Sequence, residues 1–238
     1  MTHVGIIGGT NLIHSKLFDD YQQQTVETDH GPVEAFQSPG NDVLIIPRHG
    51  HSSRKPPHQV NHHGNIAALQ LMGVRHVIGI TSVGSLSNEI PPGSFLVPDD
   101  YMQITGIPTF FHDDTIHITP ILSNELRELI LRTGRTHGFS IIDGGVYIQT
   151  TGPRFETRAE VRFFSGFGEV VGMNMASEAT LAQELDMEYA NLSVVDNYAH
   201  GLSGELSYES FMDQVTKHQE SMDALLRNII SELQKTYK

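Results

Sequence analysis

Apolar residues occur along the chain either in short unbroken runs or at helical intervals. The runs at 4–7, 43–47, 76–80, 94–97, 145–148 and 189–195 are rich in Val, Ile and Leu, and several are continuous rather than alternating. Continuous runs of this length predict strands buried on both faces. Ile66, Leu69 and Met72 precede Gly73, and Leu122, Leu126, Leu129 and Thr133 precede Gly138. Both sets have helical spacing, and each glycine fits a C-terminal cap. A further helical face carries Ala176, Ala179, Ala182 and Leu185. Phe211, Val215, Met222, Leu225, Leu226, Ile229, Ile230 and Leu233 line one side of a final helix of roughly seven turns. Strands alternating with helices define an α/β protein. No repeat, low-complexity tract or linker interrupts the pattern, so one domain over residues 1–238 is expected. The irregular stretch 99–120 reads as an active-site or interface loop.

Charge and composition narrow the function. The 238 residues carry a formal net charge of −13, which would repel a phosphodiester backbone, so no nucleic acid partner is expected. Any anionic ligand must then be met locally, by the few Arg and His residues that stand beside glycines. There is no cysteine, which removes disulfides, thiolate metal sites and a cysteine nucleophile. The start, Met-Thr-His-Val-Gly, has no leader pattern, and no run of about 18 apolar residues follows. A soluble, cytoplasmic protein with no membrane partner is expected.

Chemistry-bearing residues collect at the ends of the expected strands, where open α/β sheets bind ligands. Gly8-Gly9-Thr10 ends the first run, either as an ordinary turn or as a loop whose N–H groups meet an anion. It fits neither the dinucleotide fingerprint nor a Walker A loop. Pro47-Arg48-His49-Gly50 ends the second, with a guanidinium fork suited to phosphate. His51, His58, His62 and His63 follow without a carboxylate at metal-site spacing, and read as surface or helix-entry residues. Thr81-Ser82-Val83-Gly84-Ser85 ends the third with small hydroxyl groups. Gly152-Pro153-Arg154-Phe155-Glu156-Thr157 sets an aromatic face beside a carboxylate, which suits a purine; core packing and a helix-dipole role are the alternatives. Met173, with Glu178 in the next helical turn, is either core or the floor under a ribose. Asp196-Asn197 ends the last run with a carboxylate and an amide able to bond a leaving base.

In this order the motifs resemble the trimeric purine nucleoside phosphorylases, in particular the methylthioadenosine and methylthioinosine phosphorylase branch. The resemblance covers residues 3 to 200 and rests on Gly-Ile-Ile-Gly-Gly-Thr at 5–10, Arg48-His49-Gly50, Val60-Asn61, Asn65, Gly84-Ser85-Leu86, the 152–157 motif, and Met173 with Glu178. It implies a single-domain phosphorylase fold, a twisted mixed β-sheet with a distorted barrel surrounded by helices. It implies a homotrimer with interfacial active sites, and no metal or organic cofactor. The activity implied is that of a pentosyltransferase of purine salvage: phosphate, as co-substrate, attacks C1' as the purine departs from a 5'-methylthio nucleoside. By position it puts phosphate on Thr10, Arg48, His49, Ser82 and Asn174, and ribose on Met173, with His117 arriving from a neighbouring subunit. The purine falls on Phe155, Glu156 and Asn197, with Asn197, Asp196 and His49 as the catalytic candidates.

Asn197 with Glu156 favours a 6-oxopurine, because a carboxylate at the Asn197 position would instead accept from a 6-amino group. A one-residue register shift would turn Asp196 inward and favour methylthioadenosine. No His opens the last helix to bond a 5'-hydroxyl, so Leu206, Tyr208 and Phe211 favour a methylthio group over the inosine or guanosine hydroxyl. Asn11, Asn174 and Ser177 depart from the family's usual Gly, Thr or Ser, and Pro. A nucleosidase would need an activated water and no anion site, and a weakly catalytic nucleoside-binding protein would bind nucleoside with little dependence on phosphate.

Overall fold

A computed structural model describes residues 4–12, 15–203 and 206–237; residues 1–3 of the N-terminal reading lie outside it. The strands are β1 (Val4–Gly8), β2 (Gln22–Val26), β3 (Val33–Gln37), β4 (Val43–Pro47), β5 (His76–Ser85), β6 (Phe95–Val97), β7 (Asp100–Gln103), β8 (Ile141–Asp143), β9 (Val146–Gln149), β10 (Val170–Gly172) and β11 (Glu188–Tyr198). The helices are α1 (His62–Leu71), α2 (Asn124–Thr136), α3 (Arg158–Phe164), α4 (Met175–Glu184) and α5 (Tyr208–Thr236).

All six apolar runs are strands of one mixed sheet, ordered β2-β3-β4-β1-β5-β10-β9-β7. The central strands β4, β1, β5 and β11 are parallel. Their faces divide residue by residue: Ile7, Leu44, Ile46 and Val77 join Ile66, Leu69, Met175 and Ala179 of α1 and α4. Ile6, Val43, Ile45 and Ile78 join Leu126, Ile130, Met222 and Leu226 of α2 and α5. Helices on both faces explain why the runs are continuously apolar.

The expected barrel is corrected in one respect. β5 pairs with β10 and with β11, β11 with β6, and β6 with β8, so the sheet forks at β5 and, among the described strands, does not close. β5 also runs on through Ser85, so Thr81 to Ser85 form the strand itself rather than a loop after it. Within 99–120, residues 100–103 are the strand β7, parallel to β9. The polar strand β2 gave no apolar signal because it is largely exposed, and β3 is short and alternates buried with half-buried residues.

The caps follow local chemistry. Gly73 and Gly138 take φ of +82° and +80° just past α1 and α2, the left-handed conformation that costs glycine least. Thr157 and Ser207 open α3 and α5 with reciprocal capping boxes. His62 and His63 are the first residues of α1, and His51 and His58 are exposed, as the sequence reading has them.

Candidate active site

The carboxyl ends of β1, β4, β10 and β11, the second half of β5, the 153–156 segment and the start of α5 converge on one cavity of about 750 Å³. That is the size range of small-molecule sites. Thr10, Arg48, His49, Ser82 and Asn174 line it together with Met173, Phe155, Glu156, Asn197, Leu206, Tyr208 and Phe211. Twelve of the fourteen candidate residues therefore meet in one place, although they come from seven separate segments.

At one end stand the groups suited to an anion. Gly9 lies against both basic side chains: a Cβ there would meet Arg48 Nη1 at 2.8 Å and His49 Nε2 at 3.2 Å. The backbone can approach a ligand at this point only because that atom is missing. His49 shares its Nδ1 with the Lys55 carbonyl at 2.9 Å. A carbonyl only accepts, so Nδ1 carries the proton and Nε2 presents a lone pair. Burial, with Arg48 beside it, pulls the His49 pKa down to about 4, so the ring is neutral at pH 7. Asn174 stands at the N-cap position of α4 with no side-chain capping hydrogen bond, where the helix dipole favours negative charge.

The reading of Arg48 needs correction. Its guanidinium fork is bidentate to Glu178, through Nε to Oε1 and Nη2 to Oε2, and not open to the cavity. Nη1 donates to the Ile80 carbonyl and Nη2 to that of Ile7. Four of its five N–H groups are thus committed inside the fold, and one Nη1 proton remains beside Gly9. The pairing holds the guanidinium charged, the Glu178 attraction outweighing desolvation. Asn65 fastens the Arg48 carbonyl at 3.1 Å, and Asn61 caps α1, which gives those two motif residues structural work.

At the other end, Phe155 meets Phe211 edge to face at 6.1 Å, and Tyr208 lies 6.1 Å from Phe211. Glu156 is buried, accepts from Thr150 Oγ1 at 2.7 Å, and is pushed up in pKa by desolvation. It precedes the Thr157 cap of α3, so the helix-dipole reading of Glu156 does not hold.

Asp196 and Asn197 separate at an irregularity in β11. Val195 pairs with Val83 and Asn197 with Gly84, which leaves Asp196 as the extra residue of a β-bulge. Asn197 lines the cavity; Asp196 is fully buried outside its lining, facing His218 of α5, so its assignment as a catalytic candidate is corrected. His117 is exposed on the irregular segment after β7 and is not part of this chain's cavity.

Two lining residues, Arg54 and Lys55, escaped the sequence reading, as did the ion-pair role of Glu178. Arg54 and Lys55 rim the cavity and are the only two adjacent Lys or Arg residues in an acidic chain, which is a signal that could have found them. Glu178 stood on an otherwise apolar helical face, and a fully buried carboxylate there requires a cationic partner. Among the described residues no group of three or more His, Cys, Asp or Glu side chains could hold a metal ion.

A forked α/β sheet that gathers basic and hydroxyl groups at one end of a cavity and aromatic side chains at the other can hold an anionic group and a flat ring together. The Phosphorylase superfamily model matches residues 3–231, and the chain belongs to that superfamily. It is 40% identical over 219 residues to the "Probable 6-oxopurine nucleoside phosphorylase" of Archaeoglobus fulgidus, covering 90% of each chain. It is 40% identical over 210 residues to the "Probable S-methyl-5'-thioinosine phosphorylase" of Methanothermobacter thermautotrophicus, covering 84% of this chain and 73% of that one. A methylthioadenosine phosphorylase from an antarctic soil metagenomic library shares the fold, with a TM-score of 0.87 at 24% identity over 98% of this chain and 87% of that one.

Proposed function

We propose that the chain cleaves purine nucleosides by phosphorolysis, releasing the free base and a ribose 1-phosphate, with methylthioinosine as the favoured substrate. The observation that carries the reading is that Asn197 lines the cavity with Glu156 while Asp196 faces away. A purine with N1–H and a 6-oxo group matches a carboxylate acceptor and an amide donor; adenine would want an acceptor at Asn197. The names of the two relatives, one 6-oxopurine and one thioinosine enzyme, support the same base.

In this reading phosphate lies against Thr10, Ser82, Asn174, the remaining Nη1 proton of Arg48, and Nε2 of His49. A neutral Nε2 accepts a hydrogen bond, so it fits a protonated phosphate oxygen. As the C1'–N9 bond breaks, its electron pair goes to the purine, whose N7 accepts a hydrogen bond from the Asn197 amide and takes its proton from solvent water. A phosphate oxygen attacks C1' from the other face and stabilises the cationic sugar before bonding to it. Met173 supports the ribose, and Leu206, Tyr208 and Phe211 receive an apolar 5'-methylthio group. Inorganic phosphate is the co-substrate, and the reaction needs no other cofactor or metal.

A homotrimer and a cytoplasmic setting belong to the same proposal. Ile104, Ile107, Ile116 and Ile121 are 48–66% exposed on the segment that carries His117, as expected of a face covered by another copy that receives His117 at its site. No described helix is long and apolar enough to cross a membrane. The compartment rests on the family resemblance.

Base release from methylthioinosine, methylthioadenosine, inosine and adenosine, each with and without phosphate, tests the proposal. Hypoxanthine released from methylthioinosine only with phosphate is the expected result. Release without phosphate would overturn phosphorolysis, and faster adenine release would overturn the base assignment.

A further inference from the structure

Behind the anion end lies a buried polar cluster that the mechanism above does not use. The bulge in β11 turns Asp196 toward α5, where its side chain is 0% exposed and Oδ1 lies 3.6 Å from Nδ1 of His218. Neither carboxylate oxygen of Asp196, nor Nδ1 of His218, has a partner at hydrogen-bond distance. Ser82 Oγ accepts from Asn11 Nδ2 at 2.8 Å, and Gln219 of α5 holds the Asn11 carbonyl at 3.0 Å. A buried carboxylate left short of donors is expensive, so it takes any proton within reach. Three neighbours can supply one: the His218 ring, the Ser82 hydroxyl and the second amide proton of Asn11. Burial pushes the Asp196 carboxyl up from its ordinary range, while His218, Ser82 and Asn11 pull it down.

Ser82 has a single proton, and one of its lone pairs is already occupied by Asn11. If that proton goes to Asp196, the hydroxyl shows the cavity only a lone pair, which repels a phosphate oxygen. If it points into the cavity, Ser82 is a phosphate donor.

We propose that His218 is a positioning residue for the phosphate co-substrate: its Nδ1–H satisfies Asp196, and this frees the Ser82 hydroxyl proton to point into the cavity. The inference rests on the reading of the Thr10 and Ser82 wall as the phosphate site. It also assigns a role to the departure at Asn11, whose amide fixes the other side of the same hydroxyl. His218 does not line the cavity, so it touches neither substrate.

Steady-state kinetics on the full chain test it, with KM for phosphate and for nucleoside measured separately and folding followed by circular dichroism. Ser82→Ala and His218→Leu are each expected to raise the phosphate KM about tenfold, equivalent to about 1.4 kcal/mol, and to leave the nucleoside KM within about twofold. The double variant His218→Leu/Asp196→Asn is expected to recover most of the loss, because the carboxylate that captures the Ser82 proton is gone. His218→Asn keeps a donor near Nδ1 and should retain the low phosphate KM, whereas the equally polar His218→Gln should not. A double variant as impaired as His218→Leu overturns the proposal, as does a high phosphate KM in both His218→Asn and His218→Gln. An unchanged phosphate KM in Ser82→Ala would remove Ser82 from the phosphate site and this inference with it. Phosphorolysis itself would stand, since it is judged by the phosphate dependence of base release.

Discussion

Arg48 and Glu178, 130 residues apart in the chain, form a bidentate ion pair in which neither side chain is more than 1% exposed. The Tyr189 hydroxyl adds a third contact to Glu178 at 2.8 Å. Removing one member of such a pair strands the other charge inside the protein. Glu178→Ala should therefore cost about 3–5 kcal/mol of stability, read as a fall in the urea midpoint with little change in slope. A loss below about 1 kcal/mol would show that the pair contributes little to the fold.

Asn197→Asp exchanges an amide donor for a carboxylate acceptor at a position that lines the cavity. The ratio of kcat/KM for methylthioadenosine to that for methylthioinosine should rise about 100-fold. An unchanged ratio would place base selection elsewhere.

Phe211 contacts both Phe155 and Tyr208 at the aromatic end of the cavity. Phe211→Ala should lower kcat/KM for methylthioinosine about tenfold, in line with an apolar contact of roughly 1–3 kcal/mol. The loss for inosine should be smaller, because its 5'-hydroxyl gains less from an apolar wall. Equal losses would sink the 5'-group assignment.

Acid should destabilise the protein through two buried imidazoles. Burial, with Arg48 second, lowers His49 to about 4 and His62 to about 3, against an ordinary value of 6.5. The unfolded chain binds the protons first, so this stability is full above pH 6.5 and is lost as the pH falls through 6.5 toward 4. Each imidazole contributes a slope of about 1.4 kcal/mol per pH unit in that window. Glu156 and Asp196, whose pKa values are raised, act in the opposite sense, so the test is a difference between proteins. Between pH 6.5 and 5, His49→Asn should lose stability less steeply than the wild type, by about that slope. Parallel curves would contradict a neutral His49.

Much of this molecule follows from local rules. Six continuous apolar runs specify strands covered on both faces, because only a sheet between two helical layers buries alternate residues equally well. Gly73 and Gly138 end their helices because a residue without Cβ adopts positive φ cheaply. Glycines and small polar groups at strand ends mark where ligands meet an α/β sheet, so most lining residues could be named from the sequence.

Partner choice between distant segments was decided by the tertiary structure. Nothing near Arg48 in the chain says that a carboxylate on α4 occupies its guanidinium; that follows from the sheet and from α4 lying across β5 and β11, which bring Glu178 to the end of β4. Strand periodicity alone left Asp196 and Asn197 interchangeable, and it was the bulge against β5 that turned the amide to the cavity and the carboxylate to His218. The polar edge strand β2 was invisible because its pairing with β3 depends on backbone hydrogen bonds rather than an apolar face. The sequence thus determined which chemistry this protein carries and at which strand ends, while the fold decided which groups remain free to use it, since burial compels every charge to find a partner.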